Sequence, residues 1–336
     1  YPETDMICGD ITDEAIYQKV LSACKKERVD TVMATPPCQG MSTAGQKIKF
    51  DERNSLVMHA IRMVHDLNPR YVLIENVTDF IITPIMYNGV ETMLPDVIHQ
   101  ELDDKYDVDI HTIDTDNYGI PQTRDRMIIL MTRHGVRRRW TLPPVEQHKV
   151  TMEEAIGHLP IVDPFIKDLP QEEFLRLFPN YEERRRQALA ISPWNIPPVH
   201  IWRQVRAMMY TPTGQTAFDN EPEYRPIKAD GTFVRGYRNT YKRQNWNTPA
   251  YTVTMDNRKI SSQNNVHPGR LVGQDANGHD IYSDARTLTL YELMRVMSIP
   301  EDWNVPVNTD EAFLRRIIGE GIPPLFIRKL FAQIAQ

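Results

Sequence analysis

Three short stretches of this 336-residue chain combine residue types that can do chemistry. The first is Thr35-Pro36-Pro37-Cys38-Gln39-Gly40-Met41-Ser42. A cysteine fixed by two prolines and followed by small residues is presented rather than buried. Its thiolate is intrinsically a strong nucleophile, and its pKa can be lowered locally. The other reading is a small buried hydrophobe, the common fate of a lone cysteine. The second stretch is Glu75-Asn76-Val77, where a carboxyl group leaves an apolar run. Partial desolvation raises such a pKa and suits the group to give up a proton near neutral pH, unless it serves as a helix cap or ion-pair partner. The third runs from Asn117 to Arg126 and ends in Gln122-Thr123-Arg124-Asp125-Arg126. Two arginines at i and i+2 entering a strand point to one face, so both can reach one anionic or carbonyl-rich ligand; a structural salt bridge is the alternative.

Elements to hold these groups follow from periodicity. Asp30 to Thr35 is a short apolar run stopped by Pro36-Pro37, as a buried strand would be. Apolar residues at Leu56, Val57, Ala60, Ile61, Val64 and Leu67 have helical spacing within Asn54 to Leu67. Arg70 to Asn76 is a second buried strand, Val90 to Leu102 a helix, and Val108 to Ile113 and Arg126 to Met131 two more strands. Strand–helix alternation predicts an α/β domain with a mainly parallel sheet, whose ligands bind beyond the carboxyl ends of the strands, where Cys38 and Glu75 fall. Residues 160–275 are rich in Pro, Asn, Gln, Thr and Arg and predict a smaller, loop-rich domain with short strands such as Ala250 to Met255. Helical patterns return at Leu288 to Met297 and at Pro323 to Ile334.

Composition narrows the class. A chain that is 41% hydrophobic and 25% charged can bury a sizeable core. No apolar run approaches the ~20 residues of a membrane span, and the start YPETDMICGD is unlike a signal peptide. Three cysteines make no disulfide framework, and no C-x-x-C or H-E-x-x-H suggests a zinc site, so a cytoplasmic protein without a metal is expected. The net charge of −6 argues against a wholesale polyanion binder. Yet Arg225 to Arg270 holds nine basic residues against two acidic ones, a local +7 that leaves −13 elsewhere. A basic face for nucleic acid and a solvated loop region both fit that clustering.

Taken in order and spacing, the three stretches resemble the cytosine-5 DNA methyltransferase family: its Pro-Cys-Gln, Glu-Asn-Val and Gln-x-Arg-x-Arg motifs. The resemblance runs through nearly the whole chain. Gly9-Asp10-Ile11-Thr12 is similar to the loop contacting the adenine of S-adenosylmethionine, and Arg53-Asn54-Ser55-Leu56 to the motif beside that cofactor. Ala285 to Glu292 resembles the element organising the target recognition domain, and Gly319-Glu320-Gly321-Ile322-Pro323 the closing motif.

The resemblance implies a Rossmann-like methyltransferase core over residues 1–150, a target recognition domain over 151–306, and a C-terminal helix over 307–336 returning to the core. It implies a cytosine flipped out of duplex DNA, Cys38 adding to carbon 6, and Glu75 on ring nitrogen 3 and the exocyclic amine. Arg124 and Arg126 would hold the base carbonyl and a neighbouring phosphate. Asp10, Ile11, Pro37, Leu56, Glu320 and Gly321 would line the cofactor site. Gln39 and Ser42 would lie on a loop closing over DNA, and Lys242, Arg243, Arg258 and Lys259 would contact phosphates. A bacterial, nucleoid-associated enzyme with a cognate restriction endonuclease is the implied setting. An RNA-directed member acting on transfer RNA and a DNA-binding module without catalysis are the rivals. Two departures stand out. Glu320 replaces an asparagine usual in the closing motif, and the family's first motif, Phe-x-Gly-x-Gly, is missing. The expectation is therefore a catalytic domain whose N-terminal portion is missing, through truncation of the chain in preference to its supply by a separate segment or subunit.

Overall fold

The computed structural model describes residues 4–37 and 56–335. Two compact units divide the chain: Tyr1–Asp114, Asp125–Pro143 and Leu330–Gln336 form the first, and Thr115–Arg124 with Pro144–Lys329 the second. The division falls seven residues before the expected boundary at 150/151. It also places 115–124 and 307–329 with the second unit, so only the chain's last residues group with the first.

In the first unit, helix α1 (Glu14–Lys26) is capped by Asp13, whose side chain accepts from the Ala15 N–H. Strand β1 (Thr31–Ala34) leads to helix α2 (Val57–Leu67), which stops at Asn68 in the left-handed region. Strand β2 (Tyr71–Asn76) follows, then hairpin β3 (Pro84–Tyr87) and β4 (Val90–Met93), helix α3 (Leu94–Leu102), and strands β5 (Tyr106–Asp114) and β6 (Asp125–Arg133). The helix expected from Val90 thus begins only at Leu94. Asn88 and Gly89, at φ 50° and 80°, form a two-residue turn that folds Val90–Met93 back as a strand.

The four-stranded sheet has the order β1-β2-β6-β5. Only β1–β2 is parallel; β2–β6 and β5–β6 are antiparallel, which corrects the mainly parallel expectation among the described residues. The cause is the return from β5 to β6. Residues 115–124 close on themselves, the Thr115 N–H donating to the Arg124 carbonyl, so β6 re-enters beside β5 running the opposite way. Val72, Ile74, Met127, Ile129 and Met131 pack against Val57, Ile61 and Val64 of α2 and Val97 and Ile98 of α3. These buried rows fix the register, since a one-residue slip would turn them outward.

The second unit has little regular sheet. Helix α4 (Met152–Ile156), strand β7 (Phe165–Ile166), helices α5 (Gln171–Leu177) and α6 (Tyr181–Ile191), strand β8 (Val199–His200) and helix α7 (Trp202–Met209) come first. Strands β9 (Leu271–Gln274) and β10 (Asp280–Tyr282) precede helices α8 (Leu290–Val296), α9 (Glu311–Glu320) and α10 (Pro324–Ala332). The expected strand at Ala250 to Met255 is extended chain with one bridge, Ala250 to Gln122. Side chains do the work of a ladder there. Gln122 accepts from the Val253 N–H at 2.8 Å, Arg124 donates to the Val253 carbonyl at 2.8 Å, and Gln244 accepts from the Tyr251 N–H.

Candidate active site

Because β1 and β2 run parallel with Ala34 opposite Ile74, their carboxyl ends finish side by side. Asn76, 3% exposed, ties the two ends together: its Nδ2 donates to the Pro36 carbonyl at 3.0 Å while its Oδ1 accepts from the Val77 N–H. The chain is thus anchored at Pro36, two residues before Cys38 in sequence. Cys38, Gln39 and Ser42 themselves lie outside the described residues.

Glu75 opposes Ile128 across the β2–β6 pair, which makes Arg126 its diagonal neighbour on the same face. Arg126 Nε lies 2.8 Å from Glu75 Oε1, with only 14% and 12% of the two side chains exposed. Arg126 Nη1 also donates to the Asp125 carbonyl. A carboxyl group and a guanidinium held this way present an acceptor beside a fork of donors, a set able to grip a polar heterocycle edge.

Arg124 does something else. It is 2% exposed, and its guanidinium donates to the carbonyls of Val253 and Gly319 at 2.8 Å, with a longer contact to Glu320. Arg124 precedes β6 rather than lying in it, so the strand alternation invoked for the two arginines does not hold. The geometry gives Arg124 the role of a tether within the second unit.

Four expected cofactor residues do converge. Asp10, Ile11, Pro37 and Leu56 line one cavity of about 600 Å³ in the first unit, together with Pro36 and His59. The Asp10 carboxylate accepts from the Thr12 N–H at 2.9 Å and its hydroxyl at 2.8 Å, which holds its pKa below the ordinary carboxylate value. Glu320 and Gly321 belong to the second unit. Glu320 is paired with Arg316 at 3.0 Å along α9, and Gly321 ends that helix, its N–H donating to Ile317.

Of the expected phosphate contacts, Arg258 and Lys259 are exposed, facing Glu311 at 3.7 Å and Asp256 at 3.6 Å. Lys242 is half-buried and donates to the Tyr251 hydroxyl at 2.9 Å. Arg243 cannot serve: it is 0% exposed, and its guanidinium donates to the carbonyls of His267, Met208, Ser283 and Asp284. Burial pulls its pKa down to about 9, so it is a charged core residue at neutral pH. Charge counting along the sequence does not separate a caged arginine from a solvated one.

Sequence reasoning gave no role to Asn76 or His59. The signal for Asn76 was its place at the end of a buried strand, where a polar side chain needs partners. His59 had only its helical spacing from Leu56.

The chain matches the family model for C-5 cytosine-specific DNA methylase over residues 1–336. It is 38% identical to the type II methyltransferase M1.HgaI of Avibacterium volantium, over 99% of this chain and 86% of that protein. It is 25% identical to the type II methyltransferase M.XorII of Xanthomonas oryzae pv. oryzae, over 99% and 74%. Among solved structures, a methyltransferase encoded within an E. coli prophage superposes with a TM-score of 0.58 at 18% identity, over 99% of this chain and 86% of that one. A mutant of Spodoptera frugiperda DNMT2 gives 0.53 at 14% identity, over 100% and 86%.

Proposed function

This chain belongs to the C-5 cytosine-specific DNA methylase family, and we propose how its own residues divide the methylation of cytosine carbon 5 in duplex DNA. The observation that carries the proposal is the Glu75–Arg126 pair at 2.8 Å on strand ends that Asn76 ties to Pro36. Carbon 5 of cytosine is a poor nucleophile inside an aromatic ring. Covalent addition is the way to activate it, and a stacked base must first leave the helix.

Cys38 adds through sulfur to carbon 6. Glu75 holds ring nitrogen 3 and the exocyclic amine and delivers a proton as the adduct forms. Arg126 keeps that carboxyl group in place and faces the base carbonyl. The ring then carries an enamine-like carbon 5. S-adenosylmethionine, when bound, supplies the electrophilic methyl group. Loss of the carbon-5 proton to solvent water re-forms the 5,6 double bond and expels Cys38 as a thiolate, and ring nitrogen 3 returns its proton to Glu75. Arg124 is a structural support in this scheme rather than a base contact.

The cavity of about 600 Å³ fits a ligand the size of the methyl donor. Its chemistry fits as well: Asp10 supplies an acceptor, Ile11 and Leu56 apolar walls, and His59 a polar ring on the same wall. Asp10, Ile11, Pro37 and Leu56 would hold the donor.

Gln39 and Ser42 would touch DNA near the flipped base. Lys242, Arg258 and Lys259 would contact phosphates, exchanging weak surface pairs for stronger ones. Likeness to type II methyltransferases supports a modification enzyme of a restriction–modification system, beside a cognate endonuclease in the bacterial cytoplasm. No helix among the described residues is long and apolar enough to cross a membrane.

Covalent trapping tests the scheme. With S-adenosylmethionine and duplex DNA carrying 5-fluorocytosine at the target, a denaturation-resistant complex should accumulate, because fluorine cannot leave as a proton does. Cys38→Ser should form none. A complex that persists in Cys38→Ser would show that another residue is the nucleophile.

A further inference from the structure

We infer that His59 is an additional binding residue of the cofactor cavity, donating a hydrogen bond from Nε2 to the purine end of the methyl donor. The inference rests on the proposal that this cavity holds S-adenosylmethionine.

His59 lies in the first turn of α2, three residues after Leu56, so both side chains share the helix face that lines the cavity. Of the two ring nitrogens, Nδ1 is sealed from solvent and has no hydrogen-bond partner among the described residues. A buried N–H with no acceptor is costly, more so than a buried bare ring nitrogen. The neutral tautomer that avoids it carries its proton on Nε2. A half-buried ring with its interior nitrogen bare has one donor left to offer, at the other end of the ring.

What meets that donor follows from the neighbours. Asp10 and His59 line the same cavity, which sets an acceptor and a donor on its wall. Asp10 is already oriented by Thr12, which leaves it an acceptor of fixed direction. One acceptor beside one donor complements an edge bearing an exocyclic amine and a ring nitrogen. Adenine has that edge; the ammonium and carboxylate of the methionine portion would pair with the same two groups, and 5′-methylthioadenosine, which lacks them, separates the two ends.

Calorimetric titration of the full chain tests this with S-adenosylhomocysteine and with 5′-methylthioadenosine, which keeps only the adenosine end. His59→Ala should weaken both ligands about tenfold, the worth of one well-placed hydrogen bond. His59→Gln, which retains a side-chain N–H, should recover most of the loss. If His59→Ala fails to fold, His59→Met fills the space without a donor and should show the same deficit. Asp10→Ala serves as the reference. Should Asp10→Ala weaken binding while the His59 variants bind as the unaltered chain does, the inference falls and the cavity keeps its ligand. Should the unaltered chain bind neither ligand, or Asp10→Ala also change nothing, the cofactor cavity itself is misassigned and the inference falls with it.

Discussion

Glu75 and Arg126 can meet only because an antiparallel pair places residues 75 and 128 opposite each other, so that 126 becomes the diagonal neighbour. The pair spans two strands separated by a long stretch of chain, so the motifs offered an ion pair as the alternative for each residue without naming the other as its partner. With most of both side chains shielded, the ion pair is screened less than a surface pair, and the carboxyl group is held in one orientation. Glu75→Gln keeps the shape and removes the transferable proton. Turnover should drop roughly 10²-fold or more while affinity for duplex DNA survives, since a positioned acid contributes on that scale. Steady-state methylation and a gel-shift titration on the same variant check both halves; unchanged turnover would make Glu75 structural. Asn76 shows the limit of motif reading at this scale. Its hydrogen bond to the Pro36 carbonyl is a tertiary fact, created where β1 and β2 end together.

Elements with strong local periodicity were legible in advance, and those held by long-range side chains were not. The strands near Asp30, Arg70, Val108 and Arg126 and the helices at Leu56 and Leu288 carry apolar rows that bury only one way. The Asn88-Gly89 turn was a local signal overlooked in favour of the helical spacing that follows it. The second unit differs in kind. Arg124, Arg243, Arg286 and Arg315 are all buried there and satisfy backbone carbonyls that strands would otherwise pair. No periodicity announces such an arrangement. His200 of β8 belongs to this interior, and its Nε2 accepts from the Thr287 N–H at 3.3 Å, a contact only the neutral ring can make. Burial, with the charges of Arg286, Arg315 and Arg258, lowers its pKa to about 3. The unfolded chain takes up this proton as pH falls below about 6.5, whereas the native state does not until about pH 3. His200 therefore leaves stability intact above pH 6.5 and erodes it as pH falls through that window, by about 2 kcal/mol at pH 5. His200→Gln keeps an acceptor that does not titrate. Urea midpoints at pH 7 and pH 5 should converge in that variant relative to the unaltered chain; an identical pH dependence would mean His200 is protonated in the native state.

Across the whole molecule, a −6 chain must approach a polyanion through a minority of its surface. Charge alone left the Arg225 to Arg270 stretch open as a basic face or a solvated loop region, and its +7 overstates what reaches solvent. Arg243 is caged by four carbonyls, and Arg238, Arg258, Lys259 and Arg270 each face a carboxylate: Asp219, Glu311, Asp256 and Glu153. Exposed pairs of this kind contribute little to stability, so a phosphate can displace the carboxylate at small cost, whereas no phosphate reaches Arg243. The two classes separate by experiment. Each phosphate neutralised contributes about −0.9 to the slope of log affinity against log salt. Lys259→Ala or Arg258→Ala should therefore make that slope shallower by about 1, with little change in the urea midpoint. Arg243→Met should do the reverse. It leaves buried carbonyls without donors, which costs on the order of 3 kcal/mol of stability, while any protein that still folds binds DNA with the original salt slope. A shallower slope for folded Arg243→Met would mean the cage opens on DNA, and an unchanged slope for Lys259→Ala together with Arg258→Ala would move the phosphate-binding face off this stretch.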